Sequence, residues 1–116
     1  MDKSDNATDL AALERDNEGF LLYPDEWTED IALAIAAESR QELNDEHWQV
    51  IHFIRDSFET NQSVPEARKL LKFMQASLGE DRGTRKFLYQ LFPTGYGQTA
   101  CKIAGMRKPL KLMLDM

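Results

Sequence analysis

A chain of 116 residues, 42% hydrophobic and 29% charged, suits one domain with its own core and is neither disordered nor fibrous in composition. One cysteine and two histidines, His47 and His52, exclude a disulfide framework and give no metal or cofactor site to expect, and no apolar run approaches the ~20 residues of a membrane span. The net charge of −6 argues against non-specific nucleic-acid binding, because the body would repel phosphates.

Met1 to Asp9 is polar and lacks both the basic start and the apolar stretch of a secretion signal, which predicts a cytoplasmic address. Asp16-Asn17-Glu18-Gly19 is a turn signal before the apolar run Phe20-Leu21-Leu22-Tyr23. A short N-terminal β-hairpin is therefore expected, with Leu10 to Arg15 as its first half, although Ala11, Ala12 and Leu13 favour helix. Helices follow. Pro24 or Asp25 opens the first, with Trp27, Ile31, Ala34 and Ile35 on its apolar side and acids in its first turn. Asn44 caps the second, whose wide apolar face carries Trp48, Val50, Ile51, Phe53, Ile54 and Phe58. The third starts with Pro65 at its first position, carries Ala67, Leu70, Leu71, Met74 and Leu78, and ends at Gly79. Thr84 caps a fourth, Arg85 to Leu91, stopped by Pro93. Gly95-Tyr96-Gly97 reads as an elbow, and a short fifth helix runs from about Gln98 to Ala104, closed by Gly105.

The expected fold is thus mostly α: a small orthogonal bundle of about five helices, the second and third forming a helix-turn-helix-like pair, with a short hairpin before it and an arm after it. Three units are expected: a polar segment over 1–16, the helical domain over 17–105 and a C-terminal arm over 106–116. Trp48, Phe53, Phe58, Phe73 and Met74 read as core. His47 and His52 stand five apart on one helix, off a common face, and read as structural or solvent-facing rather than metal-binding.

Charge is segregated along the chain. Through Asp81 there are nineteen acids and seven bases, a balance of −12. From Arg82 onward the bases Arg82, Arg85, Lys86, Lys102, Arg107, Lys108 and Lys111 face one acid, Asp115, a balance of +6. Such a run is either a solvated face or a basic surface for an acidic partner. The helix pair invites a reading as a DNA-binding regulator, but Glu66 at the start of its second member would meet phosphates badly, so nucleic acid is the weaker alternative. Cys101 is the one candidate nucleophile. At the start of a short helix, beside Lys102 and far from any acid in sequence, its thiol would gain acidity; a buried, inert cysteine is the alternative.

The last third resembles a known family. Leu88-Tyr89-Gln90-Leu91-Phe92-Pro93-Thr94-Gly95, followed by Gln98-Thr99-Ala100-Cys101-Lys102-Ile103-Ala104-Gly105-Met106-Arg107-Lys108-Pro109, is similar to the DsrC/TusE family of sulfur-relay proteins, which includes dissimilatory sulfite reductase gamma-subunit-like chains. The likeness extends back through Pro65-Glu66-Ala67-Arg68, Phe53-Ile54-Arg55-Asp56 and Glu46-His47-Trp48 to Glu18-Gly19-Phe20-Leu21. It implies a helical domain with a hairpin and a mobile C-terminal arm. It also implies partners in sulfur metabolism, either sulfite reductase or the relay serving tRNA 2-thiouridine synthesis, into which the arm inserts. Family members carry persulfide sulfur on a cysteine at the next-to-last position of the arm; some keep a second cysteine at the arm's start.

This chain departs from that pattern. Cys101 matches the upstream cysteine, whereas eleven positions later the carrier's place is held by Leu112. Leucine cannot hold a persulfide, and a methionine thioether has no exchangeable proton for one. The expectation is a protein that docks on or regulates sulfur-metabolism partners without moving sulfur, and so is not an enzyme. The alternative is a carrier, or sulfurtransferase, using Cys101. Beyond Pro109, Leu110, Leu112, Met113, Leu114 and Met116 make an apolar string suited to docking, into a partner or onto the chain's own body.

Overall fold

Residues 10–109 are described by a computed structural model. Within them the predicted hairpin is not formed. Leu10–Ala12 winds into a 3₁₀ turn, as its alanines prefer, leaving no first strand to pair. What remains is one antiparallel bridge, Arg15 opposite Leu21, around a turn built by the Asp16 carboxylate. Its Oδ1 accepts from the amides of Glu18 and Phe20, both at 2.9 Å, and so substitutes for strand pairing.

The first predicted helix splits. Pro24–Glu26 is a 3₁₀ turn, Trp27 is extended, and α1 spans Glu29–Glu38. The cause is Thr28, whose side chain accepts from the Ile31 amide and fixes an N-cap there, an interaction typically worth about 1 kcal/mol. Trp27 therefore stands outside the apolar stripe of α1, which buries Ile31, Ala32, Ile35 and Ala36.

Helix α2, Asp45–Asn61, begins as predicted at Asn44, with a reciprocal cap that uses His47. The Asn44 side chain accepts from the amides of Glu46 and His47, while His47 Nδ1 accepts from the Asn44 amide at 3.0 Å. That leaves Nε2 to donate to the Leu91 carbonyl at 2.8 Å, tying α2 to the end of α4. Helix α3, Ala67–Leu78, starts two residues after Pro65 and stops at Gly79, which has φ +108°. A 3₁₀ turn, Glu80–Arg82, leads to α4, Arg85–Leu91, capped by the Thr84 hydroxyl. The supposed elbow is helical from Tyr96: a π-helical turn, Tyr96–Ala100, runs without a break into α5, Cys101–Ile103.

The core gathers Leu21, Ile35, Ile51, Ile54, Leu70, Met74, Phe92, Ile103 and Met106, all essentially without exposure. Helix α5 packs on α1 and α2, and α2 packs on α3, where Phe53 and Phe73 stack with centroids 4.4 Å apart. Of the five predicted core residues Met74 is fully buried; Trp48, Phe53, Phe58 and Phe73 close the core's edge. Among the described residues no helix is long and apolar enough to cross a membrane.

Candidate functional site

Cys101 sits where the π-helical turn passes into α5. Its amide donates to the Tyr96 carbonyl, so it is not one of the unpaired amides at a helix start that the sequence suggested. The side chain is wholly buried. Burial pushes the thiol well above its ordinary range, and the neighbouring Tyr96 hydroxyl offsets only part of that. The Tyr96 hydroxyl itself donates to the Pro65 carbonyl at 2.6 Å, holding the π-helical turn against the entry to α3. Cys101 therefore has the surroundings of a neutral, inert thiol, the opposite of the exposed, electropositive setting that activates one.

Of the seven predicted basic residues, the six that are described fall into two groups rather than one. Lys102 lies over the Phe20 ring, 5.1 Å from its centroid, and its charge joins that of Arg15 in holding the Glu38 carboxyl below its usual range. Arg15, whose guanidinium donates to Glu38 at 2.6 Å, was not singled out in the sequence. Lys108 pairs with Glu18 at 2.7 Å, and Arg107 is exposed beside it. Arg82 pairs with Glu46 of α2, and Arg85 and Lys86 are exposed on the first turn of α4. Lys102, Arg107 and Lys108 thus mark the root of the arm, and Arg82, Arg85 and Lys86 mark the start of α4. Lys111 and Leu112, with the rest of the predicted arm beyond Pro109, lie outside the described residues, as do residues 1–9.

Two further residues govern the arm's root, and the sequence reading missed their role. Trp27 Nε1 donates to the Ile103 carbonyl at 2.8 Å. Arg55, buried on the apolar face of α2, donates through Nη1 to the carbonyls of Pro24 and Ala104 at 3.1 and 3.2 Å. Its guanidinium carbon lies 4.6 Å from the Trp27 ring centroid. The available signal was an arginine set among Ile51, Ile54 and Phe58, a position where an unpaired charge would be costly. Next to this root a cleft of about 400 Å³ opens between Pro24, Phe58, Val64, Met106, Arg107 and Lys108. The histidines are divided as well: His47 is buried in the α2 cap, whereas His52 is exposed, stacked on Trp48 and 3.2 Å from Glu29. Among the described residues no cluster of His, Cys, Asp and Glu could hold a metal ion.

A family model described as DsrC like protein matches residues 7–113. The chain belongs to the DsrC family. The match takes in Leu112, so the substitution at the expected carrier position falls inside the family region rather than beyond it. Among curated relatives, the Haemophilus influenzae protein named Sulfurtransferase TusE homolog is 43% identical over 101 residues, 87% of this chain and 93% of the relative. Sulfurtransferase TusE of Escherichia coli is 40% identical over 99 residues, 85% of this chain and 91% of the relative. Among solved structures, the oxidized gamma-subunit of the dissimilatory sulfite reductase (DsrC) from Archaeoglobus fulgidus superposes with a TM-score of 0.79 at 37% identity, covering 84% of this chain and 89% of that one. Allochromatium vinosum DsrC gives 0.75 at 38% identity, covering 84% and 88%. The helical DsrC fold and the sulfur-relay family expected from the sequence are therefore both found.

Proposed function

We propose that this DsrC-family protein docks on, or regulates, a protein of sulfur metabolism through its C-terminal arm without itself carrying sulfur. The observation that carries this reading is a double loss of accessible thiol: Leu112 stands where the family resemblance puts the persulfide cysteine, and the chain's one cysteine is fully buried with its acidity suppressed. In this reading residues 17–105 are the body, 1–16 precede it, and 106–116 are the arm that reaches the partner. Arg107, Lys108 and Lys111 would give the arm a cationic base and Lys102 would back it, while Arg82, Arg85 and Lys86 would offer a second contact. The apolar string from Leu110 to Met116 would fill a groove on the partner. A sulfite reductase or a sulfurtransferase is the partner class that the relatives' names suggest, and the cytoplasm is the compartment this reading assigns to the meeting.

The test has two arms. The folded protein is incubated with a low-molecular-weight persulfide and its intact mass measured. Transfer would need the Cys101 thiolate to attack the outer sulfur and release the donor's thiol; no gain is expected in the native state, and a gain is expected in urea. Capture by purified sulfur-relay or sulfite reductase proteins is then compared between the full chain, Cys101→Ala and a chain cut after Pro109. Binding retained in Cys101→Ala and lost on truncation supports docking. Stoichiometric sulfur on native Cys101 would overturn the non-carrier reading.

A further inference from the structure

The carbonyls at the end of a helix lack partners within it and are ordinarily left to water or a glycine turn. At the end of α5 two side chains from different elements take them: Trp27, from the segment before α1, holds Ile103, and Arg55, from α2, holds Ala104. Both gripping groups also bind each other, guanidinium over indole, and Arg55 adds the Pro24 carbonyl from the turn that carries Trp27. Gly105 follows at once with φ +79°, and a Cβ there would lie 2.3 Å from Trp27 Cδ1, so only glycine lets the chain pass the indole. Met106 then returns to the core, its amide donating to the Cys101 carbonyl at 3.0 Å.

This grip is expensive for a mere helix end. Arg55 is a desolvated cation whose Nε is buried without a hydrogen-bond partner among the described residues, and the one carboxylate of those residues within 4 Å, Glu59 at 3.7 Å, is mostly exposed. Water could cap the same carbonyls at no such cost. What the arrangement achieves is a fixed backbone direction from Ile103 to Met106, the residues that lead into the predicted arm.

We infer that Trp27 and Arg55 form a clamp that sets the direction in which the C-terminal arm departs, acting as positioning residues rather than as contacts for a partner. Its purpose rests on the docking role above, but its existence does not, because arm direction can be read with no partner present.

Spin labels are placed at Gln49→Cys on α2 and Arg107→Cys at the arm root, in a Cys101→Ala background, and their distance distribution is measured by double electron–electron resonance. The parent is expected to give a narrow distribution. Trp27→Phe removes the donor to Ile103 but keeps the ring, and Arg55→Lys keeps the charge but loses the planar guanidinium that lies over the indole. Both are expected to lose the narrow distribution while keeping the parent's helical circular dichroism. A broad distribution in the parent, or a narrow one surviving Trp27→Phe, would overturn the clamp. So would loss of the folded spectrum in Trp27→Phe, which would make the indole a core element rather than a guide. Failure to capture any partner would leave the clamp standing and remove only the docking role.

Discussion

Gly105→Ala puts the arm-root geometry to a quantitative test. Two penalties act on the added methyl group. The backbone at φ +79° lies in the left-handed region, where a non-glycine residue costs about 1–2 kcal/mol. The Cβ would also lie 2.3, 2.7 and 2.8 Å from Cδ1, Cγ and Cβ of Trp27, distances that force the indole to move, and overpacking of this kind typically adds about 1–3 kcal/mol. The sum is about 2–5 kcal/mol. A domain of this length has an unfolding entropy near 0.24 kcal/mol/K by the average of about 2.1 cal/mol/K per residue, so the melting temperature should fall by roughly 8–20 °C. Urea titration and thermal melts followed by circular dichroism give both numbers. In a Trp27→Ala background the clashes with Cδ1 and Cγ disappear and only the 2.8 Å approach to the Cβ of residue 27 remains, so the same glycine substitution should cost clearly less than in the wild type. A loss below about 1 kcal/mol in the wild-type background, or an equal loss in both backgrounds, would refute the reasoning that indole and glycine backbone are in contact.

Two other outcomes follow from the site. Because burial raises the Cys101 thiol above its unfolded value, the unfolded chain ionises first as pH rises; stability is full below about pH 8.5 and should then fall by roughly 1 kcal/mol per pH unit, as read by urea unfolding between pH 8 and 10, with that slope lost in Cys101→Ala. An unchanged slope in Cys101→Ala would assign the effect to other groups. Leu112→Cys places a thiol at the position the family uses, and it should take up sulfur from a small persulfide in the native state while Cys101 stays unmodified, which peptide mass mapping can distinguish; uptake at Cys101 instead would contradict the burial argument.

Much of the fold was legible because its signals are local. Asn44, Thr84, Gly79 and Gly105 are caps and stops whose chemistry acts within a few residues, and each ends or starts a helix where the pattern places it. The hairpin was misread because Asp16 builds its turn from side-chain bonds, which need no strands, while Leu10–Ala12 follow their helical preference. Trp27 was assigned to a helix stripe because spacing counts residues and cannot see that Thr28 resets the cap. The candidate site was less legible for a related reason. The setting of Cys101 depends on whether a glycine-flanked tyrosine opens a π-helical turn, and the grip of Arg55 on Ala104 joins residues 49 positions apart. Contacts at that separation leave no periodicity in sequence.

The arrangement separates two properties that the family resemblance joins. The residues that fix where the arm leaves, Trp27, Arg55 and Gly105, all belong to the described body and touch one another or the end of α5. The residue at the carrier position, Leu112, lies seven positions beyond Gly105 and none of those contacts involves it. In the proposed reading, a leucine at that place cannot hold a persulfide, and the contacts among Trp27, Arg55, Gly105 and the end of α5 do not depend on a thiol there. For the docking we propose, the apolar string around it would supply the surface to be buried, since a leucine offers at least as much apolar surface as a cysteine. Loss of transfer with retention of docking is the combination we propose, and a regulator that occupies a carrier's seat is the role such a combination would fit.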